Sequence, residues 1–127
     1  IYVKLCFYQP KLTTSEIATL NTKFANRDLI VGDSAEPRLI SELTRNNNIV
    51  AAIKGQGSIT YGISLLKDYD LIIDEESTDL IKELNNYYWL EKKSQTPVDK
   101  FNHAIDALRY AVSYQLQNQN LGEYYFY

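Results

Sequence analysis

The sequence predicts an α/β fold in which a mainly parallel central sheet is flanked by helices. Short apolar runs alternate along the chain with segments whose apolar residues recur at helical spacing. Two of the runs, residues 28–33 and 49–53, are almost continuously apolar, as is typical of parallel strands covered on both faces. The 127 residues suit a single domain (1–127) with one modest core, and neither a repeat nor a linker divides them.

Composition narrows the classes of function. The formal charge of −3 argues against tight, autonomous binding of nucleic acid through its phosphates, which requires a basic surface. No apolar run reaches the length of a membrane span and no signal-peptide pattern is present, so we expect an intracellular protein without membrane contact. The single cysteine, Cys6, excludes a disulfide framework within the chain and is expected to be a buried, inert thiol.

The first predicted elements are a strand and a helix. Residues 1–9 are rich in β-branched and aromatic side chains, and Pro10 ends this strand. Thr13 and Glu16 have the spacing of a capping box, which predicts the start of a helix. The apolar stripe of this helix comprises Ile17, Leu20 and Phe24. Because the chain lacks methionine and opens inside an apparent strand, we expect a fragment of a longer protein.

A second strand and helix follow in the same order. The strand over residues 28–33 ends on Asp33, and residues 34–37 turn the chain into a helix. The asparagines at 46–48 stop this helix. Its apolar positions are Leu39, Ile40 and Leu43.

The middle of the chain repeats the alternation. After the strand at 49–53, the glycines of residues 54–58 allow a tight turn. Ser58 is expected to cap a helix that runs to about Lys67. Residues 71–74 then predict a further strand.

The C-terminal part is predicted to be largely helical. One helix is expected from about Thr78 to Asn86, and the aromatic residues 87–91 form either a short strand or its extension. Residues 92–96 are polar and predict a loop. The last helix is expected to begin within 96–99, where proline follows a capping threonine, and to reach about Gln117. An aromatic tail, residues 118–127, follows and is expected to pack on a partner or on another part of the protein.

The candidate chemistry lies in the segment 102–110 and at one strand end. His103 and Asp106 are three residues apart, which places both on one face of a helix. Asp33 lies at the carboxyl end of a strand, where functional groups of open α/β sheets gather. Together the three side chains would hold Mg²⁺ or Mn²⁺. Each also has a plainer interpretation, with Asp33 as a turn or capping residue and the helical pair as part of a solvated face.

A helical wheel of the last helix leaves this choice open. One side is apolar and comprises Phe101, Ile105, Leu108 and Val112. His103, Asp106 and Tyr110 lie roughly opposite. A metal-binding face and an ordinary solvated face would both show this arrangement.

Other charged residues are weaker candidates. Lys54 and Arg38 are interpreted as contacts to DNA phosphates or as ordinary surface charges, the latter being favoured for Arg38. The turn that begins at Lys54 lacks Walker spacing, so nucleotide hydrolysis is not expected. Asp99 is better explained as part of a helix start than as a ligand, and Glu36 is ambiguous in the same way. The acidic residues 74–76 are more typical of a solvated loop than of a cation site.

Three of these stretches together resemble one family. Residues 33–37, residues 53–63 with their glycines, and residues 102–110 are similar, in order and spacing, to motifs of the C-terminal nuclease domain of the large terminase subunit of tailed phages. The resemblance extends from about residue 1 to 117 and is more specific than any single motif. It allows a phage or a prophage as the source.

The resemblance implies a ribonuclease H-like fold and metal-dependent cutting of double-stranded, concatemeric DNA during genome packaging. Asp33 matches the family's second acidic metal ligand and Asp106 the last one, and His103 matches the histidine beside it. The usual account of this chemistry has two Mg²⁺ or Mn²⁺ ions, which activate a water and stabilise the departing oxygen.

The resemblance also has one large departure. The family's first acidic ligand precedes the strand that residues 1–9 match, so the sheet is expected to lack its first strands and the fragment to cleave weakly or not at all. An exposed sheet edge would then allow self-association. The implied partners are double-stranded DNA, the N-terminal ATPase domain of the parent protein, the portal and the small terminase subunit. The implied location is the cytoplasm of the bacterial host.

Two further interpretations come from other classes of protein. The first is a non-catalytic α/β docking module whose aromatic tail and polar helix face bind another packaging protein. The second is a receiver-like signalling domain, which is weakened because the strand at 71–74 lacks the companion acidic pair expected near the first strand.

Overall fold

The computed structural model describes the backbone of residues 1–94 and 102–126 and the side chains of residues 1–87 and 102–117. Its elements alternate as predicted, which confirms the α/β class. The strands are β1 (Tyr2–Val3), β2 (Ile30–Gly32), β3 (Ile49–Ala51) and β4 (Ile72–Ile73). The helices are α1 (Thr14–Ala25), α2 (Pro37–Leu43), α3 (Ser58–Lys67), α4 (Thr78–Ser94) and α5 (His103–Phe126). No helix in the described part of the chain has the length and apolarity needed to cross a bilayer.

The strands pair in parallel, as the sequence predicted, but they are shorter than the apolar runs. β1 pairs with β4, and β2 pairs with β3, as two separate two-stranded ladders within the described residues. Asp33 and Asp74 end two of the strands close to the predicted positions by turning the chain. The Asp33 carboxylate accepts the N–H of Ala35 at 2.9 Å, and the Asp74 carboxylate accepts that of Glu76 at 2.9 Å. The acidic loop 74–76 therefore contains a turn of the kind that aspartate favours.

The predicted start of α1 is confirmed, but the predicted apolar stripe is not the face that the helix buries. The Thr13 hydroxyl accepts the N–H of Glu16, and the Glu16 carboxylate accepts that of Thr13, each at 3.2 Å, which completes the capping box. The side chains that α1 buries are Ala18 and Asn21, whereas Phe24 is 41% exposed. The stripe was wrong at Phe24 because this ring stacks on Phe7, with centroids 6.0 Å apart, near the surface. In the same N-terminal segment the Cys6 thiol is exposed, contrary to expectation.

The start of α3 also differs from the prediction. Gly57 precedes the helix with a φ of 77°, a left-handed conformation that favours glycine. Ser58 is the first helical residue and Gly57 occupies the N-cap position, so the predicted capping role of Ser58 was wrong. The left-handed conformation of Gly57 therefore leads the chain into α3 without a side-chain cap.

The C-terminal helices are longer than predicted. α4 continues to Ser94, so the aromatic residues 87–91 extend the helix and the loop predicted from 92 was wrong at its start. α5 begins at His103, while the start signal at 96–99 lies outside the described residues. The backbone of α5 continues past the expected end at Gln117 to Phe126. The aromatic tail therefore begins as helix, and its side chains lie outside those described.

The core lies where the β1 and β4 pair meets α4 and α5. Leu80 is 2% exposed and Ile105 is 3% exposed, and Ala104 completes the buried cluster. Partly buried apolar side chains from the strands and from α4 cover this cluster: Val3, Leu5, Ile73, Leu84 and Tyr87. Because Ala104 and Ile105 belong to the first turn of α5, the core fixes the part of the helix that carries His103 and Asp106.

Candidate functional site

The first half of the site lies at the carboxyl ends of two paired strands. Asp33 follows β2, and Lys54 follows β3 after a short extended segment. Because β2 and β3 are parallel neighbours, their carboxyl ends share one edge. The Lys54 ammonium donates to Oδ1 of Asp33, and this oxygen also accepts the N–H of Ala35. Asp33 is thus both the turn residue of the plainer interpretation and half of an ion pair.

The ion pair sets the charge of both groups. Partial burial raises the pKa of Asp33, but the hydrogen bonds from Lys54 and Ala35 and the charges of Lys54 and Arg109 outweigh it and hold the pKa below its ordinary value. The hydrogen bond to Asp33 raises the pKa of Lys54 against the opposing effect of burial. Asp33 therefore adds stability above its unfolded-state pKa that is lost as the pH falls, and Lys54 adds stability that is lost as the pH rises through its raised pKa.

The second half of the site lies on α5. Arg109 donates from Nη2 to Oδ1 of Asp106 at 3.1 Å, and its side chain is only 7% exposed. The Arg109 guanidinium lies 4.8 Å from the Tyr110 ring centroid, and the Lys54 ammonium lies 5.1 Å from it. Tyr110 is 9% exposed, so this residue is not part of a solvated face. The ring is buried because two cations, one from each half of the site, cover it.

Gly62 on α3 makes room for the side chain of Arg109. A Cβ atom at Gly62 would lie 2.2 Å from Cγ of Arg109 and 2.5 Å from its Cδ. These are stem atoms of a buried side chain, which cannot swing aside as a flexible tip would. The absence of a side chain at Gly62 therefore lets the stem of Arg109 pack directly against α3.

Substitution of this glycine should destabilise the domain. Alanine favours a helix interior by about 1 kcal/mol over glycine, whereas overpacking costs about 1–3 kcal/mol. With so short a contact we expect Gly62→Ala to lower the free energy of unfolding, measured by urea denaturation. Gly55→Ala is the matched control, since a Cβ there would meet nothing within 4 Å. Equal stability of the two variants would contradict this role of Gly62.

Sequence reasoning missed Glu83, a buried carboxylate that holds the first turn of α5. Glu83 is 2% exposed. Its Oε1 accepts the N–H of Ala104 at 2.8 Å and that of Ile105 at 3.0 Å, and its Oε2 accepts the Tyr8 hydroxyl at 2.6 Å. The hydrogen bond to Glu83 raises the pKa of Tyr8 to about 12. The available signal was a glutamate within the apolar spacing of α4, beside Leu80.

The predicted ligands are brought towards one edge without forming a closed cluster. His103 is exposed at the first position of α5, and Asp106 follows one turn later. Asp33 connects to Asp106 through Lys54, Tyr110 and Arg109. Among the described side chains, no three histidine, cysteine, aspartate or glutamate residues lie close enough to share a metal ion.

The remaining candidate for DNA contact lies apart from these contacts. Arg38 is 93% exposed in its side chain, and its Nε lies 3.6 Å from Oε1 of Glu42 one helical turn away. This is the geometry of an ordinary surface charge on a helix, whose ion pair contributes little.

Comparisons with known proteins identify the family. The model of the terminase RNAseH like domain matches residues 1–114. The chain belongs to the terminase RNase H-like domain family. This confirms the predicted resemblance and the ribonuclease H-like fold. No solved structure gives a match.

Two relatives are similar over part of their length. The large terminase subunit of Bacillus phage SPP1 is 35% identical over 91 residues, which cover 65% of this chain and 22% of that protein. An uncharacterised protein of Acanthamoeba polyphaga mimivirus is 29% identical over 87 residues, which cover 64% of this chain and 10% of that protein. The terminase RNase H-like domain described here thus spans about a fifth or less of these relatives.

The carboxylates of this terminase RNase H-like domain fit a hard divalent cation in their chemistry. Mg²⁺ commonly takes one or two protein carboxylates and completes its coordination with water and substrate phosphates. The described contacts of Asp33 and Asp106 to Lys54 and Arg109 both use Oδ1, so Oδ2 is the oxygen of each that would coordinate a cation. A cation at this edge would compete with Lys54 and Arg109 for the negative charge.

Proposed function

We propose that this chain is the nuclease domain of a phage or prophage DNA-packaging enzyme that cuts double-stranded, concatemeric DNA with Mg²⁺ or Mn²⁺. The observation that carries the proposal is the family match over residues 1–114. The similarity to a terminase large subunit supports a packaging role. The approach of the Asp33 strand end to the Asp106 helix through one chain of contacts supports a shared site.

In this proposal each residue has a defined task. Asp33 and Asp106 hold the metal, and His103, at the solvent-exposed start of α5, stands beside them. Bound metal supplies the activation of water and the stabilisation of the departing oxygen. Lys54 has three N–H donors, so it can contact a DNA phosphate while it keeps Asp33 oriented. Arg38 is a weaker candidate for phosphate contact.

The proposal extends to the context of the domain. A further acidic ligand is expected from a preceding strand of the parent protein, so the 127-residue chain itself should cleave weakly or not at all. The N-terminal ATPase domain, the portal and the small terminase subunit are the proposed partners, and the host cytoplasm is the proposed location. Among the described strands β1 and β4 pair only with each other, so each keeps an unpaired edge through which copies of the chain would associate.

Metal titration followed by NMR tests the proposal. We expect millimolar Mg²⁺ to shift the resonances of Asp33, His103 and Asp106 selectively, with Mn²⁺ broadening the same signals. Mn²⁺ and supercoiled plasmid, added to the same chain, should give at most slow nicking that EDTA stops. The absence of any selective shift would count against a metal-dependent nuclease. Robust cutting that Asp33→Ala or Asp106→Ala abolishes would instead contradict the proposed incompleteness of the site.

A docking module remains the alternative function, and one observation favours it. Both candidate carboxylates are already engaged by cations, and no three-ligand group occurs in the part of the chain whose side chains are described. In that case the surface of α5 would bind another packaging protein. Failure of Mg²⁺ to perturb Asp33 and Asp106 is the result this alternative predicts.

A further inference from the structure

A cavity of about 380 Å³ lies between α3, α5 and the glycine-containing turn before α3. Its volume falls within the range of roughly 300–1,000 Å³ that small-molecule sites occupy. Lys54 lines the cavity and also pairs with Asp33, so the cavity adjoins the sheet edge that carries Asp33. The metal site proposed above shares Lys54 with this cavity and leaves the rest of its lining without a role.

The charge of the cavity favours an anion. Lys54 and Arg109 are the charged members of its described lining, and no carboxylate is among them. The whole chain carries 16 acidic and 13 basic residues, so a lining with cations alone departs from the average surface. The Lys54 ammonium has three N–H donors, of which Asp33 takes one and Tyr110 another. A phosphate at the border of the cavity can therefore contact Lys54 without separating it from Asp33.

The aromatic side chains favour a ligand that also has a planar ring. Tyr61, Tyr110 and Tyr114 all line the cavity. Lys54 and Arg109 lie against the Tyr110 ring, which leaves Tyr61 and Tyr114 as stacking surfaces. Tyr61 is 49% exposed, so its ring is accessible to a ligand in the cavity. Bases of single-stranded nucleic acid stack on aromatic side chains in this way.

We propose that the cavity binds one unpaired nucleotide of a DNA strand, with the base against Tyr61 and Tyr114 and a phosphate at Lys54. The nucleotide must be unpaired because neighbouring bases cover both faces of a base in a duplex. The assignment of DNA rather than a free nucleotide as the source rests on the proposed function. The position of Lys54 places this nucleotide directly beside the edge that carries Asp33.

Binding of short oligonucleotides to the 127-residue chain tests the proposal. The probes are a fluorescein-labelled single-stranded hexadeoxynucleotide, the same strand with abasic sites, its duplex and a deoxynucleoside monophosphate. All titrations contain EDTA, so they are independent of metal binding and cleavage. The variants are Tyr61→Leu and Tyr114→Leu, with Tyr69→Leu as the control, since Tyr69 is 44% exposed and is not part of the cavity lining.

The expected result is preferential binding of the base-containing single strand. Tyr61→Leu and Tyr114→Leu each lose one stacked base, so their affinity for the single strand should fall about tenfold. Tyr69→Leu should bind the strand as tightly as the unchanged chain does. Equal affinity for the abasic strand, or equal binding by all three variants, would overturn the site. Tighter binding of the monophosphate than of the strand would overturn DNA as its source. If the metal titration gives no response but oligonucleotide binding depends on Tyr61 and Tyr114, the nuclease proposal is contradicted and the nucleotide site is supported.

Discussion

Glu83→Ala should cost the domain about 3–5 kcal/mol of its free energy of unfolding. The substitution leaves the buried N–H groups of Ala104 and Ile105 without an acceptor, and each unpaired donor costs about 1–3 kcal/mol. The cavity left by the deleted side chain adds to this loss. Because a domain is stabilised by only about 5–15 kcal/mol in total, urea denaturation at neutral pH should show the largest shift of any single variant considered.

Two controls separate the role of Glu83 from a general effect of removing charge. Glu75→Ala removes an exposed carboxylate from the loop before α4 and should change stability by no more than about 0.5 kcal/mol. Tyr8→Phe removes one of the hydrogen bonds to Glu83 and should give an intermediate loss. Hydrogen exchange at Ala104 and Ile105 should accelerate in Glu83→Ala and not in Glu75→Ala. A loss below about 1 kcal/mol in Glu83→Ala would show that the α5 start does not depend on this carboxylate.

The local signals in the sequence predicted the elements that local chemistry controls. The capping box of Thr13 and Glu16 forms within four consecutive residues, so its outcome does not depend on distant contacts. Asp33 ends its strand because its own carboxylate accepts an N–H two residues later. The parallel pairing followed from the alternation of strands and helices, which leaves room for crossovers. In each case the determining contacts lie close together in the chain.

The features that sequence reasoning missed depend on residues that are distant in the chain. The helical wheel placed Tyr110 opposite the apolar side of α5, yet its ring is buried and Lys54 from the end of β3 covers it. The stem of Arg109 packs against α3 only because Gly62 on that helix lacks a side chain. A buried glutamate in the apolar stripe of α4 is unfavourable unless its carboxylate has partners. The N–H groups in the first turn of α5 are these partners. A wheel or a spacing rule treats one element at a time and cannot supply these neighbours.

The second large effect is expected for the two carboxylates that we propose as metal ligands. Loss of even an outer partner of a metal ligand costs about 10–100-fold in metal affinity. We therefore expect Asp33→Asn and Asp106→Asn each to weaken Mn²⁺ binding by at least about tenfold, measured by calorimetry. If one site contains both carboxylates, either substitution alone already disables it. The double variant should then bind little more weakly than the single ones, because contacts that act together are not additive.

Asp74→Asn is the matched control for Asp33→Asn. Both aspartates follow a strand and accept the N–H of the second residue after them at 2.9 Å, but Asp74 ends β4 in the other strand pair and has no described contact to Lys54 or Arg109. An asparagine can keep the turn hydrogen bond at either position. A fall in Mn²⁺ affinity only in Asp33→Asn therefore shows the loss of a metal ligand and not the loss of the turn. Equal falls at Asp33 and Asp74, or strictly additive losses at Asp33 and Asp106, would mean that the two carboxylates do not share a site. The strand end and the helix face form one metal site only if their losses are coupled.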